Sequence, residues 1–523
     1  MIAMKGSNNL LALLKHCVLL LLVLHISGCS LPTIDDRTAS HALLRQDGMD
    51  TSIGRGIAEQ AQSNPGLSGV APLSDPLDAF AARVLLISKA ERTIDLQYYI
   101  WRDDITGNLL LKALHQAAQR GVRVRLLIDD NGTIGLDSKL AVLNSEPNAE
   151  VRLFNPFPFR TFKRIGFITN FSRLNRRMHN KSMTVDGQIT VVGGRNIGDE
   201  YFGATPEVEF NDLDVMVAGE VVDDVSNDFD EYWNSKSAYP IEKLVSIPPD
   251  IKSTILTIEE HGATLLPAAR SYINAVAKSD LVENISRGQL NFSWVKVHMV
   301  SDDPKKVLGR ARKKTLLITR LMEILDHPSS SVDLISPYFV PTKQGVDVFG
   351  EMASKGVKVR ILTNALEATD VIPVHAGYAK YRAPLLKHGV ELYEMRSDNR
   401  PNKPREKAGP FGSSGTSLHA KTFAIDNQRV FVGSFNFDPR SARLNTELGF
   451  VIESETMAQA ISEAFDNNIP MHAYKLELDE EGNLVWLDNS TTPPRKWNTD
   501  PNTSVWTRLY VDLLSLLPIE SLL

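Results

Sequence analysis

One pattern occurs twice in this chain, and that duplication limits the possible folds more than any other feature. His179-Asn180-Lys181-Ser182-Met183-Thr184-Val185-Asp186 leads to Gly193-Gly194-Arg195-Asn196, and His419-Ala420-Lys421-Thr422-Phe423-Ala424-Ile425-Asp426 leads to Gly433-Ser434-Phe435-Asn436. The spacing is the same in both copies, and His419 stands 240 residues after His179. The repeat reaches beyond the motif. Thr93 to Ile100 matches Val332 to Val340, both β-branched and aromatic runs. Each precedes a helical stretch that ends at Gly121 or Gly356, and then the strand-like runs Val122 to Ile128 and Val357 to Leu362. Glu150 to Phe154 and Val390 to Glu394 extend both copies. So long a period excludes a solenoid and predicts an α/β fold: a duplicated domain with a parallel or mixed sheet in each half. The 523 residues are also too many for one ordinary core.

The motif carries the chemistry. Apolar runs flank Asp186-Gly187 and Asp426-Asn427, which predicts a hairpin at each. On a strand, residues i and i+2 share a face, so His179 is set beside Lys181 and His419 beside Lys421. One imidazole can attack phosphorus, two ammonium groups can offset charge on the non-bridging oxygens, and the other imidazole can move the proton of the leaving alcohol. Asn196 and Asn436 stand where a loop turns into a helix, a place suited to phosphate oxygens. A lone His-x-Lys is usually ordinary surface or strand sequence, but its recurrence at matching repeat positions overturns that reading. A zinc site is disfavoured, because each half offers one usual ligand. The only cysteines are Cys17 and Cys29.

These residues resemble the phospholipase D superfamily, whose signature His-x-Lys-x4-Asp-x6-Gly-[Gly/Ser]-x-Asn both copies match. The resemblance implies duplicated α/β/α/β/α lobes with the active site at the lobe interface, and no metal or other cofactor. It implies a catalytic set of His179, Lys181, Asp186, His419, Lys421 and Asp426, with His179 as nucleophile and His419 as acid and base. It further implies a carboxylate behind each imidazole. Asp212 and Glu447, which follow the first and second histidine respectively, are the candidates, with Asp214 an alternative to Asp212 and an ordinary surface carboxylate still open. Gln97-Tyr98-Tyr99-Ile100-Trp101, Leu174 to Lys181, Ser336 to Pro341, His375-Ala376-Gly377-Tyr378 and Phe435 to Ser441 narrow the resemblance to bacterial cardiolipin synthases, those of the C type in particular. That type implies transfer of a phosphatidyl group to phosphatidylglycerol, from a second phosphatidylglycerol or from phosphatidylethanolamine. Hydrolysis to phosphatidic acid uses the same motif and stays an alternative. A nuclease is disfavoured by the net charge of −6 and by export.

The N-terminus is read as an export signal over residues 1–28: Lys5 and Lys15 precede an apolar run from Cys17 to Ile26 that is too short to favour a spanning helix. Ile26-Ser27-Gly28-Cys29 resembles a lipobox, which implies lipidation of Cys29 and, with Ser30 following, the outer membrane facing the periplasm. Residues 29–74 are expected to be a tether, 75–240 the first lobe, 241–325 a connector, 326–470 the second lobe and 471–523 a tail. Val505 to Leu517 has helical apolar spacing, and Pro518 ends it. This helix either docks on the protein's own core or lies in a membrane interface. Val151 to Met178 carries six phenylalanines and seven Arg or Lys with no Asp or Glu. Either it faces an anionic membrane or it is a strand followed by a solvated basic loop. Arg396 to Ser417 is expected to be a mobile loop before the second motif. The expected partners are phospholipids in a membrane and possible accessory proteins, and not nucleic acid.

Overall fold

The computed structural model describes residues 31–523 except 161, 206–209, 263–266, 287–291, 326 and 398–416. The export signal, Cys29 and most of the loop between Arg396 and Ser417 lie outside the described residues.

In the first half the strands are β1 (Ser68–Leu73), β2 (Thr93–Ile100), β3 (Arg123–Gly132), β4 (Ala149–Phe154), β5 (Ser182–Val185), β6 (Ile189–Gly193), β7 (Phe210–Asn211), β8 (Asp214–Gly219), β9 (Ala238–Pro240) and β10 (Ser293–Val295). In the second half they are β11 (Val297–Ser301), β12 (Ser331–Ile335), β13 (Lys358–Asn364), β14 (Glu391–Met395), β15 (Ser417–Leu418), β16 (Thr422–Ile425), β17 (Arg429–Gly433), β18 (Leu448–Glu453), β19 (Ala473–Leu478), β20 (Leu484–Asp488) and β21 (Arg495–Trp497). The sheets run β10-β1-β8-β6-β5-β2-β3-β4-β9 and β11-β18-β17-β16-β12-β13-β14-β19-β20-β21. The series β8-β6-β5-β2-β3-β4 and β18-β17-β16-β12-β13-β14 are the same arrangement twice, parallel across β2-β3-β4 and β12-β13-β14 and antiparallel elsewhere. Even the buried ion pairs repeat. Asp95 faces Arg125 across β2 and β3, and Asp333 faces Arg360 across β12 and β13.

The helices that matter below are α1 (Pro76–Lys89), α2 (Ile105–Gln119), α3 (Gly166–Leu174), α4 (Val221–Trp233), α5 (Thr342–Ser354), α6 (Ile372–Ala379), α7 (Glu455–Glu463) and α8 (Val505–Ser515). Successive side chains of a strand point to opposite faces, and here the two faces feed different cores. Met216 and Ala218 of β8 join α1 and α2 in the first lobe's core, while Val215 and Val217 enter a core shared by both sheets. From the other side, Val430 and Val432 of β17 and Phe450 and Ile452 of β18 enter the same shared core. Phe431 and Val451 turn toward α5. Val221 and Val225 of α4 and Ala458 and Ile461 of α7 complete the shared layer. Helix, sheet, helix, sheet and helix are therefore stacked, as the family resemblance implied.

The expected segment limits need correction in three places. Residues 31–74 are not a loose tether: β1 lies inside the first sheet, between β8 and β10, and a Cβ on Gly69 would stand 2.7 Å from Phe292. Small residues read there as linker composition instead permit close packing. Residues 241–325 are not a separate connector, since β10 closes the first sheet and β11 opens the second, with one residue between them. Nor are residues 471–523 a simple tail, because β19 to β21 widen the second sheet.

Candidate active site

Both motif hairpins form as expected. Asp186 and Gly187 (φ 52° and 64°) turn β5 into β6, and Asp426 and Asn427 (φ 54° and 53°) turn β16 into β17. The histidines and lysines differ from expectation in one respect, since they sit on extended segments just before the strands begin. What holds those segments is the opposite lobe. His179 donates its backbone N–H to Thr446 O at 2.9 Å, Thr446 donates to Arg177 O, and His419 and Ala420 both donate to Asn211 O at 2.8 Å. The short strands β7 and β15 pair in parallel between the lobes.

This interlobe pairing crosses the carboxylates. Nδ1 of His179 lies 2.7 Å from Glu447 Oε2, and Nδ1 of His419 lies 2.6 Å from Asp212 Oδ2. Each carboxylate thus serves the imidazole of the other lobe, a correction to the expectation that each follows its own histidine. Asp214 is not an alternative, because it binds Arg83 at 2.7 Å. The asymmetry between Gly194 and Ser434 has a local cause. A Cβ at Gly194 would stand 2.1 Å from Asp212 Oδ1, whereas the Ser434 hydroxyl donates to Glu447 Oε2 at 2.5 Å. Behind them, Asp302 accepts the Glu447 N–H and the Lys306 ammonium, a support that no sequence motif announced.

Burial pushes the His179 imidazole well below its ordinary value, with Lys181 and Lys421 adding to the effect, so it is neutral and able to attack. His419 is also lowered by burial and by Lys421, while Asp212 works in the other direction. Asp212 stays ionised: burial acts to raise it, but Lys421, His419 and Arg195 together outweigh burial. Burial lifts Glu447 to about 7 and lowers Lys181 to about 7. Lys181 and Lys421 donate to the carbonyls of His179 and His419, which fixes both ammonium groups beside the imidazoles. Tyr99 stands edge-on to His179, with Tyr201 and Phe210 against His419, at ring separations of 5.0 to 5.2 Å.

Both imidazoles line one cavity of about 610 Å³, together with Asn196, Asn436, Tyr338 and Arg440. Asn436 Oδ1 is buried there without a partner among the described residues, while the Asn196 side chain is occupied by Ile100 N and Tyr201 OH. Asp186 and Asp426 are not brought to the site. Asp186 accepts from the amides of Glu91, Arg92 and Thr93, and Asp426 from those of Ser329, Ser330 and Ser331. The motif aspartates therefore fasten the starts of β2 and β12 rather than act on substrate. Among the described residues no group of three or more His, Cys, Asp or Glu is placed to hold a metal ion, and no helix is long and apolar enough to cross a membrane.

A family model described as "Cardiolipin synthase, PLD-like domain" matches residues 84–233 and 321–469, one match on each lobe. The chain belongs to this family. The family assignment agrees with the curated relatives: cardiolipin synthase C of Escherichia coli (strain K12) is 50% identical over 88% of this chain and 97% of its own length. The major cardiolipin synthase of Bacillus subtilis (strain 168) is 27% identical over 76% of this chain and 68% of its own. Among solved structures, phosphatidylserine synthase of Haemophilus influenzae Rd KW20 shares the fold, with a TM-score of 0.52 at 16% identity over 81% of this chain and 92% of that one. This member of the cardiolipin synthase family is a phosphatidyltransferase acting on phospholipids.

Proposed function

We propose that this enzyme makes cardiolipin through a phosphohistidine on His179, the observation that carries the reading being two imidazoles in one cavity, each held by the other lobe's carboxylate. Nε2 of His179 attacks the phosphorus of the donor phospholipid. As the phosphorus–nitrogen bond forms, the bond to the headgroup oxygen breaks, and His419, which enters this step as the imidazolium paired with Asp212, gives that oxygen its proton and is left neutral. His419 then takes the proton of the free glycerol hydroxyl of phosphatidylglycerol, whose oxygen attacks phosphorus and releases His179. Lys181 and Lys421 offset the negative charge that builds on the non-bridging oxygens, and Asn436 is suited to donate to one of them. Asp212 supports the imidazolium that His419 becomes.

Transfer competes with hydrolysis at the second step, and a lipid acceptor held in place has the proximity advantage over diffusing water. Lipidation at Cys29 would hold the enzyme at a periplasmic membrane surface, the outer membrane by the residue that follows, where acceptor lipid is concentrated. The donor is phosphatidylglycerol or phosphatidylethanolamine, and an accessory protein is compatible with either. The test supplies purified enzyme with phosphatidylglycerol vesicles, with and without phosphatidylethanolamine, and follows labelled phosphatidyl groups. Cardiolipin as the main product supports the reading. Phosphatidic acid as the main product in every lipid mixture makes the enzyme a phospholipase.

A further inference from the structure

Two helices near the catalytic cavity turn apolar side chains outward: α3 lines it directly, and α8 packs on α6, whose Val374 lines it together with Val371. On one side is α3, kinked at Asn170, with Phe167 and Leu174 lining the cavity. On the same helix Ile168 is 84% exposed and Phe171, whose ring contacts Phe167, is exposed too, and just before the helix Phe162 and Ile165 also lie in solvent. The other helix is α8, packed on α6. Only Val511 of this helix is buried, against Leu366 and Ala376 of the α6 region, while Trp506 (80% exposed), Leu509, Leu513 and the following Leu516 face outward. The sequence left docking on the protein's own core or lying in a membrane interface open for α8; one stripe docks on the protein through Val511, and a wider one stays exposed.

Arg440 ties the end of α3 to the last residues of the chain. Its guanidinium donates to Asn175 O at 2.9 Å and Oδ1 at 2.6 Å, directly after α3, and its Nε and backbone N–H donate to the carbonyls of Leu522 and Leu523, which line the same cavity. A third feature adjoins α3. Arg176 donates to Lys306 O, and its guanidinium lies 3.6 Å from where a Gly309 Cβ would be. Around these residues Lys305, Arg310, Arg312, Lys313 and Lys314 are all exposed, and among the described residues none is ion-paired to a carboxylate.

From this arrangement we infer that α3, α8 and the basic run 305–314 form one docking face for an anionic phospholipid bilayer, which seats the cavity mouth on the membrane. Each helix exposes several large apolar side chains, and interfacial helices combine an apolar face with adjoining cations. A bilayer fits better than a protein partner because a bilayer is where the two-chained substrate resides and its anionic headgroups match the exposed cations of 305–314. Cations outside the apolar zone match anionic headgroups, each Lys or Arg adding attraction within a Debye length of the surface. The inference rests on the phospholipid-transfer reading for its choice of occupant, but it has a readout that needs no turnover.

The test uses the full chain on vesicles of equal parts phosphatidylglycerol and phosphatidylcholine with brominated acyl chains, which quench tryptophans that enter the apolar zone. Trp506 is the outward tryptophan, so the wild-type emission is quenched and Trp506→Phe loses that quenched component. In kinetics, Ile168→Ser with Phe171→Ser, and separately Leu509→Ser with Leu513→Ser, raise the apparent KM for vesicle lipid by about tenfold or more, with turnover of a short-chain monomeric phosphatidylglycerol within about twofold. Lys313→Glu with Lys314→Glu raises that KM on anionic vesicles at low salt, and the difference shrinks at high salt. Quenching in an enzyme that transfers no phosphatidyl group supports the docking face while removing the transferase reading. Absence of quenching overturns the inference, as does quenching that survives Trp506→Phe, or a concentration-dependent dimer that shields Trp506.

Discussion

Glu447→Gln removes one negative charge and leaves the shape of the site almost unchanged, which makes it a clean probe of the crossed carboxylates. In the wild type, Glu447 Oε2 lies 2.7 Å from His179 Nδ1 and accepts from Ser434, and Glu447 Oε1 is buried without a partner. A glutamine can keep its carbonyl on the histidine and serine and turn its NH2 toward the empty side. What is lost is the charged part of the hydrogen bond: about 1.5 to 3 kcal/mol for a charged partner against about 1 for a neutral one leaves about 0.5 to 2 kcal/mol. At 1.36 kcal/mol per decade that is a fall of about 2- to 30-fold in kcat/KM. Glu447→Ala, which also removes the geometry, costs about 100-fold or more. Asp212→Asn should act elsewhere, because Asp212 holds the imidazole that handles the leaving group's proton. The assay therefore compares a natural phospholipid with an activated phosphatidyl ester whose leaving phenolate needs no proton. Glu447→Gln slows both by a similar factor. Asp212→Asn slows the natural lipid but leaves the first burst of phenolate within about twofold of wild type. The reverse pattern, a lost burst in Asp212→Asn and a retained one in Glu447→Gln, would refute the assignment of His179 as nucleophile.

Burial lowers Lys181 to about 7, so its ammonium form prevails below that pH and is lost above it. The free-enzyme profile of kcat/KM should fall on the alkaline side from about pH 7, rather than from the ordinary lysine range, and Lys181→Arg should move that limb upward if it turns over. Asp426 is held down to about 2, against burial, by the Ser330, Ser331 and Ser329 amides. A depressed carboxylate stabilises the fold fully above its unfolded value and loses the contribution as pH falls through about 2. Discounted for solvent screening, Asp426→Asn at neutral pH costs about 1 to 2 kcal/mol. A thermal scan should show a lower midpoint while activity per folded molecule stays within about twofold, a result that Lys421→Met will not share. Exhaustive chelation should leave activity intact, since two imidazoles and two ammonium groups already supply nucleophile, proton transfer and charge neutralisation. A loss restored by one divalent ion, with lipid packing controlled, contradicts this.

The duplicated motif made much of the site legible because a strand-and-turn pattern is local: Asp186-Gly187 and Asp426-Asn427 form the expected turns, and the predicted strands around residues 93 and 123 lie within a few residues of those observed. Asp212 and Glu447 were found as residues but assigned to the wrong partners. No local pattern records that Thr446 and Asn211 carry the backbone of the opposite histidine, because that pairing exists only after the lobes close. Asp186 and Asp426 were read as catalytic because they belong to the signature, yet their surroundings are backbone amides. β1 was missed for a different reason. Ser68-Gly69-Val70-Ala71-Pro72-Leu73 has linker-like composition, and only its neighbours β8 and β10 give it strand pairing.

The reach of the His179 to Glu447 contact, 268 residues along the chain, also bears on how such an enzyme is made. The polypeptide leaves the ribosome N-terminus first, so the nucleophile emerges long before the carboxylate that orients it. Until the second lobe has folded against the first, His179 lacks both its carboxylate and the Thr446 carbonyl that holds its backbone. A half-made or truncated chain therefore lacks the assembled site that attacks phospholipid. The crossed wiring works as a safety catch, released only by completion of the fold.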